Sequence, residues 1–217
     1  MERIQPERAL IIAGGNRVKA DLLDRIDRPT YIVAADSGLD HAYELGLRPD
    51  VVVGDMDSVT AKSLARATDE GVEIHRHPIA KDATDLELAI DLVFERGLRH
   101  ATIIGGTGGR FAHTLANALL LTTAGDVRLN WLTSHARITP LRTGETGIFP
   151  ATDGPLLSIL SVGGPASGTS SGLRWPLGDL TLTPGSTRGI SNEILGPEAS
   201  VTIEEGCVLL VHERNNE

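Results

Sequence analysis

The sequence predicts an α/β protein with a doubly wound, mostly parallel sheet over residues 1–134 and an antiparallel β-sandwich over residues 135–217. Short apolar runs rich in β-branched residues alternate with helical patterns in the first part of the chain, and most of these runs end in glycine or aspartate. After about Ser134 the helical periodicity stops. Apolar runs of this kind are typical of strands buried on both faces, as in a parallel sheet covered by helices.

The first region contains the strand and helix signals of a doubly wound α/β domain. The predicted strands are Ala9–Ala13, Tyr31–Ala35, Val51–Val53, Ala101–Ile104 and Val127–Leu132. The predicted helices are Thr84–Arg96 and Phe111–Leu121. Thr84 and Glu87 have the spacing of a capping box, so Thr84 is the expected N-cap of its helix. Strand–loop–helix repetition predicts a Rossmann-like arrangement.

The second region contains only strand signals. Gly, Pro, Ser and Asp residues separate the apolar runs Leu156–Val162, Leu180–Thr183, Ser200–Ile203 and Val208–Val211. Short strands divided by turn residues are typical of a small antiparallel sandwich.

Composition and the absence of certain motifs disfavour several classes of protein. The 217 residues are 41% hydrophobic and carry a formal charge of −9 without a basic run, which disfavours a nucleic-acid partner. The single cysteine, Cys207, allows no disulfide within the chain. Met1–Arg8 lacks an apolar signal segment and no apolar run approaches membrane-spanning length, so we expect a cytoplasmic protein without membrane contact. The missing Gly-x-Ser-x-Gly elbow disfavours a serine hydrolase.

Carboxylates follow the predicted strands. They are Asp36, Asp55, Asp57, Asp82 and Asp85. In an open parallel sheet ligands bind beyond the carboxyl ends of the strands, so these loops are expected to meet at one rim. A divalent cation relieves the repulsion among such groups, and Mg²⁺ prefers a few carboxylates together with phosphate oxygens and water. The alternative is that each Asp is only a turn residue or a helix cap.

A glycine-rich segment, Gly105–Arg110, joins a predicted strand to a helix. Glycines let the backbone approach a phosphate, the helix N-terminus favours negative charge, and Arg110 adds a forked donor. The segment is neither a Walker loop nor a dinucleotide fingerprint, so a plain turn stays open. Lys81 either contacts a phosphate or is a surface charge. His113 either faces the site or faces the solvent.

Together these segments resemble the thiamine pyrophosphokinase family. The matching blocks are Ala35-Asp36-Ser37-Gly38, Pro49-Asp50 with Gly54-Asp55-Met56-Asp57-Ser58, Lys81-Asp82-Ala83-Thr84-Asp85, and Gly105–Arg110 with His113 and Asn117. Leu173-Arg174-Trp175-Pro176-Leu177 and Gly189-Ile190-Ser191-Asn192-Glu193 are similar to motifs of the family's β domain. The blocks occur in the family's order and extend over nearly the whole chain.

The resemblance implies an ATP-dependent transferase that is a homodimer with shared active sites. The thiamine hydroxyl would attack the β-phosphorus of Mg²⁺-bound ATP, giving thiamine diphosphate and AMP. It implies Asp55, Asp57 and Asp85 as catalytic metal ligands, with Asp82 as a further ligand. The implied ATP-binding residues are Asp36, Ser37, Gly38, Lys81, Gly105, Gly106, Gly108, Gly109, Arg110 and His113. The implied thiamine-binding residues, in the β domain that also dimerises, are Trp175, Ser191 and Asn192.

One residue departs from the family pattern: Ala112 stands where an aspartate is usual. This removes a carboxylate next to His113 and leaves the role of that histidine open. Two other functions remain as alternatives. One is diphosphate transfer to another small alcohol such as a pterin, and the other is nucleotide sensing without catalysis.

Overall fold

The computed structural model describes residues 8–123, 125 and 127–214. The chain divides into two units, one ending at Thr133 and one beginning at Ser134, with Leu121–Thr123 belonging to the second. The predicted boundary after residue 134 lies one residue from this division. Residues 1–7, on which the expectation about a signal segment rests, lie outside the described residues. Within the described chain, no helix has the length and apolar character needed to cross a membrane.

The first unit is built on a parallel sheet. Its strands are β1 (Arg8–Ala13), β2 (Tyr31–Ala35), β3 (Val51–Gly54), β4 (Glu73–Arg76), β5 (His100–Ile104) and β6 (Arg128–Leu132). They lie in the order β6-β5-β1-β2-β3-β4, and each neighbouring pair is parallel. Every strand predicted for this region is confirmed. The sequence analysis missed β4 because its Glu-Ile-His-Arg sequence lies at the sheet edge, where charged side chains replace the buried apolar run.

Helices cover this sheet. A 3₁₀ helix spans Ala20–Arg25, and the α-helices are α1 (Gly38–Glu44), α2 (Ala61–Asp69), α3 (Asp85–Glu95) and α4 (Phe111–Leu120). α3 buries Leu86, Ala89, Ile90 and Val93, the face that its periodicity predicts. Thr84 is its N-cap, since the hydroxyl oxygen accepts a hydrogen bond from the Glu87 N–H at 3.2 Å.

Strand order determines where a ligand can bind. From β1 the chain moves outward through β2, β3 and β4, and then returns to β5 on the other side of β1. The loops after β1 and β5 therefore diverge and leave a crevice, the usual ligand position in open α/β sheets. Ile12 pairs with Ile104, and Ala13 pairs with Ala35, so the ends of β1, β2 and β5 lie at one level.

The second unit is an antiparallel sandwich, as predicted. Its strands are β7 (Ala136–Arg142), β8 (Thr146–Pro150), β9 (Leu156–Ser161), β10 (Ser167–Ser171), β11 (Asn192–Glu193), β12 (Glu198–Glu205) and β13 (Cys207–Glu213). Within this unit β11-β9-β13-β7 are neighbours, and β10-β12-β8 form the other layer. Ile159 and Leu210 from one layer pack into the same core as Val201 and Ile203 from the other.

One predicted strand of the sandwich is wrong. Leu180–Thr183 has no strand and contributes only an isolated bridge between Leu182 and Ala166. Leu182 is buried in the core although its neighbours are polar or turn-forming, so a core anchor in a loop produced the apolar signal. The strands β7, β8 and β10 were missed because polar residues and glycines interrupt their alternation.

The N-cap of α3 provides a test of the local assignment. Thr84→Ala removes the acceptor of the Glu87 N–H, so we expect the free energy of unfolding to fall by about 1 kcal/mol. Thr84→Ser keeps the hydroxyl, so its free energy of unfolding should stay close to that of the wild type. Urea unfolding followed by circular dichroism measures both variants, and equal stability of Thr84→Ala and Thr84→Ser would contradict the capping role.

Candidate active site at the carboxyl ends of the strands

A cleft of about 400 Å³ lies at the carboxyl ends of the parallel strands. The loops after β1, β2, β3 and β5 line it, together with the first turns of α3 and α4. Its polar lining comprises Gly14, Gly15, Asp36, Ser37, Asp55, Asp57, Ser58, Thr84, Asp85, Gly106, Thr107, Gly108, Arg110, His113 and Asn117. The crevice predicted from the strand order therefore exists, and it collects side chains that are far apart in the sequence.

Two glycine-rich loops form one wall of this cleft. The Gly106 N–H donates to the Gly14 carbonyl and the Asn16 N–H to the Thr107 carbonyl, both at 2.7 Å. At Gly105 the φ angle is +78°, and a Cβ atom there would overlap the carbonyl oxygen of Ala13. Only glycine allows this close crossing of the two loops, which brings backbone rather than side chains to the cleft.

Two side chains hold carbonyl oxygens of the second loop. The indole N–H of Trp131, which is 1% exposed, donates to the Gly105 carbonyl at 2.7 Å. The amide of Asn117 donates to the Gly106 carbonyl at 2.9 Å. These bonds satisfy two carbonyl oxygens of the loop, so fewer free acceptors remain that would repel an anion.

Asp36 is the buried carboxylate of the site. Its backbone has a φ of +48°, an uncommon conformation for a residue with a side chain, and the residue is 7% exposed. One carboxylate oxygen accepts a short hydrogen bond from the Ser58 hydroxyl. The other is buried and has no hydrogen-bond partner. A buried acceptor without a donor is costly, so this oxygen is suited to a cation.

Asp55 and Asp57 complete a group of carboxylates around Asp36. One oxygen from each of the three residues lies within 4.8 Å of the others. The Asp57 N–H donates to Asp55 Oδ1 at 3.1 Å, across a Met56 residue with a φ of +66°. That backbone hydrogen bond, reinforced by Lys81, lowers the pKa of Asp55 and keeps it ionised.

Lys81 connects this group to Asp85. Its Nζ donates to Asp55 Oδ2 at 3.1 Å and to Asp85 Oδ1 at 2.6 Å. Burial would lower the pKa of Lys81, but its hydrogen bonds to Asp85 and Asp55 outweigh burial and raise it. Burial raises the pKa of Asp85 against the opposing effect of Lys81. The site therefore combines several carboxylates with one ammonium group.

These residues fit a divalent cation. The ligand atoms are hard oxygens, they converge from the loops after β2 and β3, and one of them is a buried oxygen without a donor. Asp36, Asp55 and Asp57 would hold the ion directly. Asp85 lies next to the group, since its charge interacts with those of Asp36 and Asp55.

The structure brings together most of the residues predicted for this site but not all. Asp82 is exposed on the loop before α3 and does not line the cleft. Gly38, Gly105 and Gly109 also do not line the cleft; the first two are buried and the third is exposed. Lys81 does not line the cleft either, but it hydrogen-bonds to Asp55 and Asp85, which do. The roles of these residues stay predictions.

Some cleft residues were assigned no role in the site from the sequence. They are Gly14, Gly15, Ser58, Thr107 and Asn117 as a supporting amide. The Gly-Gly pair after β1 repeats the signal recognised after β5 and was available in the sequence. By contrast, nothing local marks Ser58 as the donor to Asp36, because those residues are 22 positions apart.

The predicted thiamine-binding residues lie together in the second unit. Trp175 is 55% exposed, which contradicts a role in the sandwich core. The buried amide of Asn192 accepts from the Trp175 N–H at 3.1 Å and donates to the Trp175 carbonyl at 2.6 Å. Ser191 is exposed with a φ of +55°. Arg174 lies 5.8 Å from the centre of the indole ring and pairs with Glu193.

Comparison with known proteins identifies the family. Residues 23–131 match the family described as thiamin pyrophosphokinase, catalytic domain, and residues 145–208 match thiamin pyrophosphokinase, vitamin B1 binding domain. The chain belongs to the thiamine pyrophosphokinase family. It is 30% identical over 207 residues to the thiamine pyrophosphokinase of Bacillus subtilis (strain 168), covering 93% of this chain and 96% of that one.

Other members of the thiamine pyrophosphokinase family share the sequence or the fold. Thiamine pyrophosphokinase 1 of Oryza sativa subsp. japonica is 25% identical over 214 residues, which cover 87% of this chain and 81% of that one. The crystal structure of the Bacillus subtilis thiamine pyrophosphokinase has a TM-score of 0.85 at 24% identity, covering 97% of this chain and 100% of that one. The Candida albicans thiamin pyrophosphokinase has a TM-score of 0.79 at 19% identity, with coverages of 96% and 90%. These structural likenesses show the same two-domain fold.

The hydrogen bond from Trp131 to the glycine loop can be tested. Trp131→Phe leaves the Gly105 carbonyl without its donor, so we expect a loss of about 1–3 kcal/mol in the free energy of unfolding and weaker ATP binding. Trp175→Phe is the matched control, because this exposed tryptophan lies in the other unit and should leave stability nearly unchanged. Denaturant unfolding and calorimetric ATP titration measure the two effects. Wild-type values for Trp131→Phe would show that the bond does not organise the loop.

Proposed function

We propose that this chain transfers the diphosphate group of ATP to thiamine. The observation that carries the proposal is the cleft in which Asp36, Asp55 and Asp57 converge beside two hydrogen-bonded glycine loops. The thiamine hydroxyl oxygen bonds to the β-phosphorus, the bond from that phosphorus to the α,β-bridging oxygen breaks, and AMP leaves with that oxygen. The products are thiamine diphosphate and AMP.

The residues of the cleft position the nucleotide. The N–H groups of the two glycine loops and Arg110 hold the phosphates, with His113 facing the same space. Asp36, Asp55 and Asp57 would hold a cation such as Mg²⁺, which would neutralise the phosphate charge. Diphosphate transfer needs alignment and charge neutralisation more than covalent help from the protein. The hydrogen bond from the Ser58 hydroxyl keeps the buried Asp36 carboxylate in one orientation.

Trp175 is the proposed platform for thiamine. The flat aminopyrimidine and the cationic thiazolium are both attracted to an aromatic face. Asn192 has its amide engaged by the Trp175 backbone, so its role here is to position the indole. The exposed Ser191 offers a hydroxyl to the pyrimidine.

We also propose that the active enzyme is a homodimer with shared sites. Support comes from α4, which has no buried residue although seven of its ten residues are apolar. Phe111, Leu115 and Leu119 are 79%, 50% and 44% exposed, and their spacing of four residues places them on one stripe. An apolar helix face of this kind normally packs against a partner. Because α4 also carries cleft residues such as His113, a second subunit seated there would adjoin the site.

The alternatives from the sequence have less support. A pterin or another small alcohol is disfavoured by the match to a vitamin B1 binding domain. A sensing role without catalysis leaves the carboxylate group unexplained. A cytoplasmic location, where ATP and Mg²⁺ are supplied, is part of the proposal.

Metal dependence is the first test of this function. Asp57 is an exposed loop residue, so Asp57→Asn should fold normally yet reduce AMP release in the presence of thiamine by roughly 10²-fold or more. Chelation should abolish wild-type activity, and Mg²⁺ should restore it. Asp69→Asn, at the exposed end of α2, removes the same charge far from the cleft and should leave activity intact. Near-normal activity of Asp57→Asn would refute the metal assignment.

Subunit mixing tests the shared site. Trp175→Ala and Asp57→Asn are each expected to be inactive, but a 1:1 mixture that exchanges subunits should regain about one quarter of wild-type activity. This value follows because half of the dimers are mixed and each has one intact site. A mixture of Asp57→Asn with Asp85→Asn should regain none, since both changes affect the same half of the site. Failure of the first mixture despite proven exchange would show that each site belongs to one chain.

A further inference from the structure

Lys81 occupies the space between two of the proposed catalytic carboxylates. Its side chain is 14% exposed, and those of Asp55 and Asp85 are 11% and 27% exposed, so this ion pair is largely shielded from water. The Nζ distances of 3.1 Å to Asp55 and 2.6 Å to Asp85 make it a bridge between two carboxylates. It is one of three lysines in the chain.

This bridge competes with a metal ion. Both oxygens of Asp55 are engaged, Oδ1 by the Asp57 N–H and Oδ2 by Lys81. An ammonium group has no lone pair and cannot be a ligand, and its charge repels a divalent cation at contact distance. A cation that takes Asp55 Oδ2 or Asp85 Oδ1 as a ligand therefore meets the charge of Lys81 at close range, and this repulsion favours displacement of Lys81.

We infer that Lys81 is a displaceable internal counter-ion that reserves the carboxylates for a divalent cation arriving with the nucleotide. This inference rests on the metal site of the proposed function. In the free enzyme Lys81 offsets part of the repulsion among Asp36, Asp55, Asp57 and Asp85. When the metal–nucleotide complex enters, its phosphates give the ammonium a new partner, and the cation takes the carboxylate oxygens that Lys81 releases.

The position of Lys81 in the chain suits such a movement. It lies on the irregular segment 77–84 between β4 and α3, outside helix and strand. Its neighbours are solvent-exposed, with Ile79 73% exposed, so little packing opposes a shift. The Lys81 N–H makes only a local hydrogen bond to the Ile79 carbonyl at 3.1 Å. By contrast, Asp55 and Asp85 are held at the end of β3 and the start of α3.

The inference predicts opposite effects on two affinities. Without Lys81 the carboxylates are always available, so free Mn²⁺ should bind the nucleotide-free Lys81→Met variant roughly tenfold or more tightly than the wild type. The same variant should bind the Mn²⁺–nucleotide complex more weakly, because the phosphates lose a cationic partner. Structural damage would lower both affinities. A rise in the affinity for free Mn²⁺ together with a fall in the affinity for the complex therefore distinguishes displacement of Lys81 from misfolding. Mn²⁺ electron paramagnetic resonance and titration calorimetry, with and without a non-hydrolysable ATP analogue, measure both affinities.

Two lysine variants serve as controls. Lys62→Met changes the net charge equally but lies on the exposed surface of α2, so its Mn²⁺ affinity should match the wild type. Lys81→Arg keeps a cation between the carboxylates and should keep free Mn²⁺ binding weak. Lys81→Gln replaces the methionine variant if circular dichroism shows that the latter is misfolded.

The outcomes separate the inference from the proposed function. Unchanged or weaker Mn²⁺ binding by both neutral Lys81 variants, or an equal gain in Lys62→Met, overturns the counter-ion role. These measurements need neither thiamine nor turnover. Loss of the proposed function would instead appear as wild-type enzyme that binds Mn²⁺ and nucleotide but releases no AMP with thiamine.

Discussion

Repulsion among carboxylates is the constraint on which the arrangement of the site depends. The parallel sheet brings Asp36, Asp55, Asp57 and Asp85 to one rim, where their negative charges lie close together. The chain offsets this repulsion with donors: Ser58 for Asp36, a backbone N–H for Asp55, and Lys81 for Asp55 and Asp85. One buried oxygen of Asp36 still lacks a donor. In the proposed function a cation would complete the balance, which would couple metal binding to nucleotide binding.

Backbone strain accompanies these charges. Among the described residues other than glycine, positive φ angles occur at Asp36, Met56 and Ser191. Asp36 and Met56 lie in the loops that carry the carboxylates, and Ser191 adjoins the thiamine platform proposed at Trp175. Conformations of this kind cost of order 1–3 kcal/mol each and persist where surrounding contacts over-determine them. Here the contacts include the Asp36 N–H bond to Val53 and the Ser191 N–H bond to Ser158. The strained positions thus coincide with the positions proposed to bind substrates.

The surfaces proposed to bind ligands have the same kind of support in both units, namely a side chain that hydrogen-bonds to backbone polar groups. Trp131 holds the Gly105 carbonyl in the first unit, and Asn192 holds both polar groups of the Trp175 backbone in the second. In each case a buried side chain holds the backbone of a neighbouring loop in place. Pre-ordering of this kind reduces the entropy lost on binding. The family resemblance implies Asn192 as a thiamine-binding residue, but its side-chain amide is already hydrogen-bonded to the Trp175 backbone. Support of the Trp175 backbone accounts for that bonding.

The sequence by itself determined the features that depend on neighbours along the chain. Apolar runs placed β1, β2 and β5, helical spacing placed α3, and Thr84 was identified as its cap. The ends of the predicted strands marked the five candidate carboxylates, and resemblance to the family then supplied the reaction and the roles proposed for them. Other features required the tertiary structure: the edge strand β4, the orphaned oxygen of Asp36, the exposed position of Asp82, and the bridge from Lys81 to Asp55 across 26 positions. The physical reason is that periodicity and capping act over a few residues, whereas strand order and register decide which distant loops meet and which charges must share one cleft.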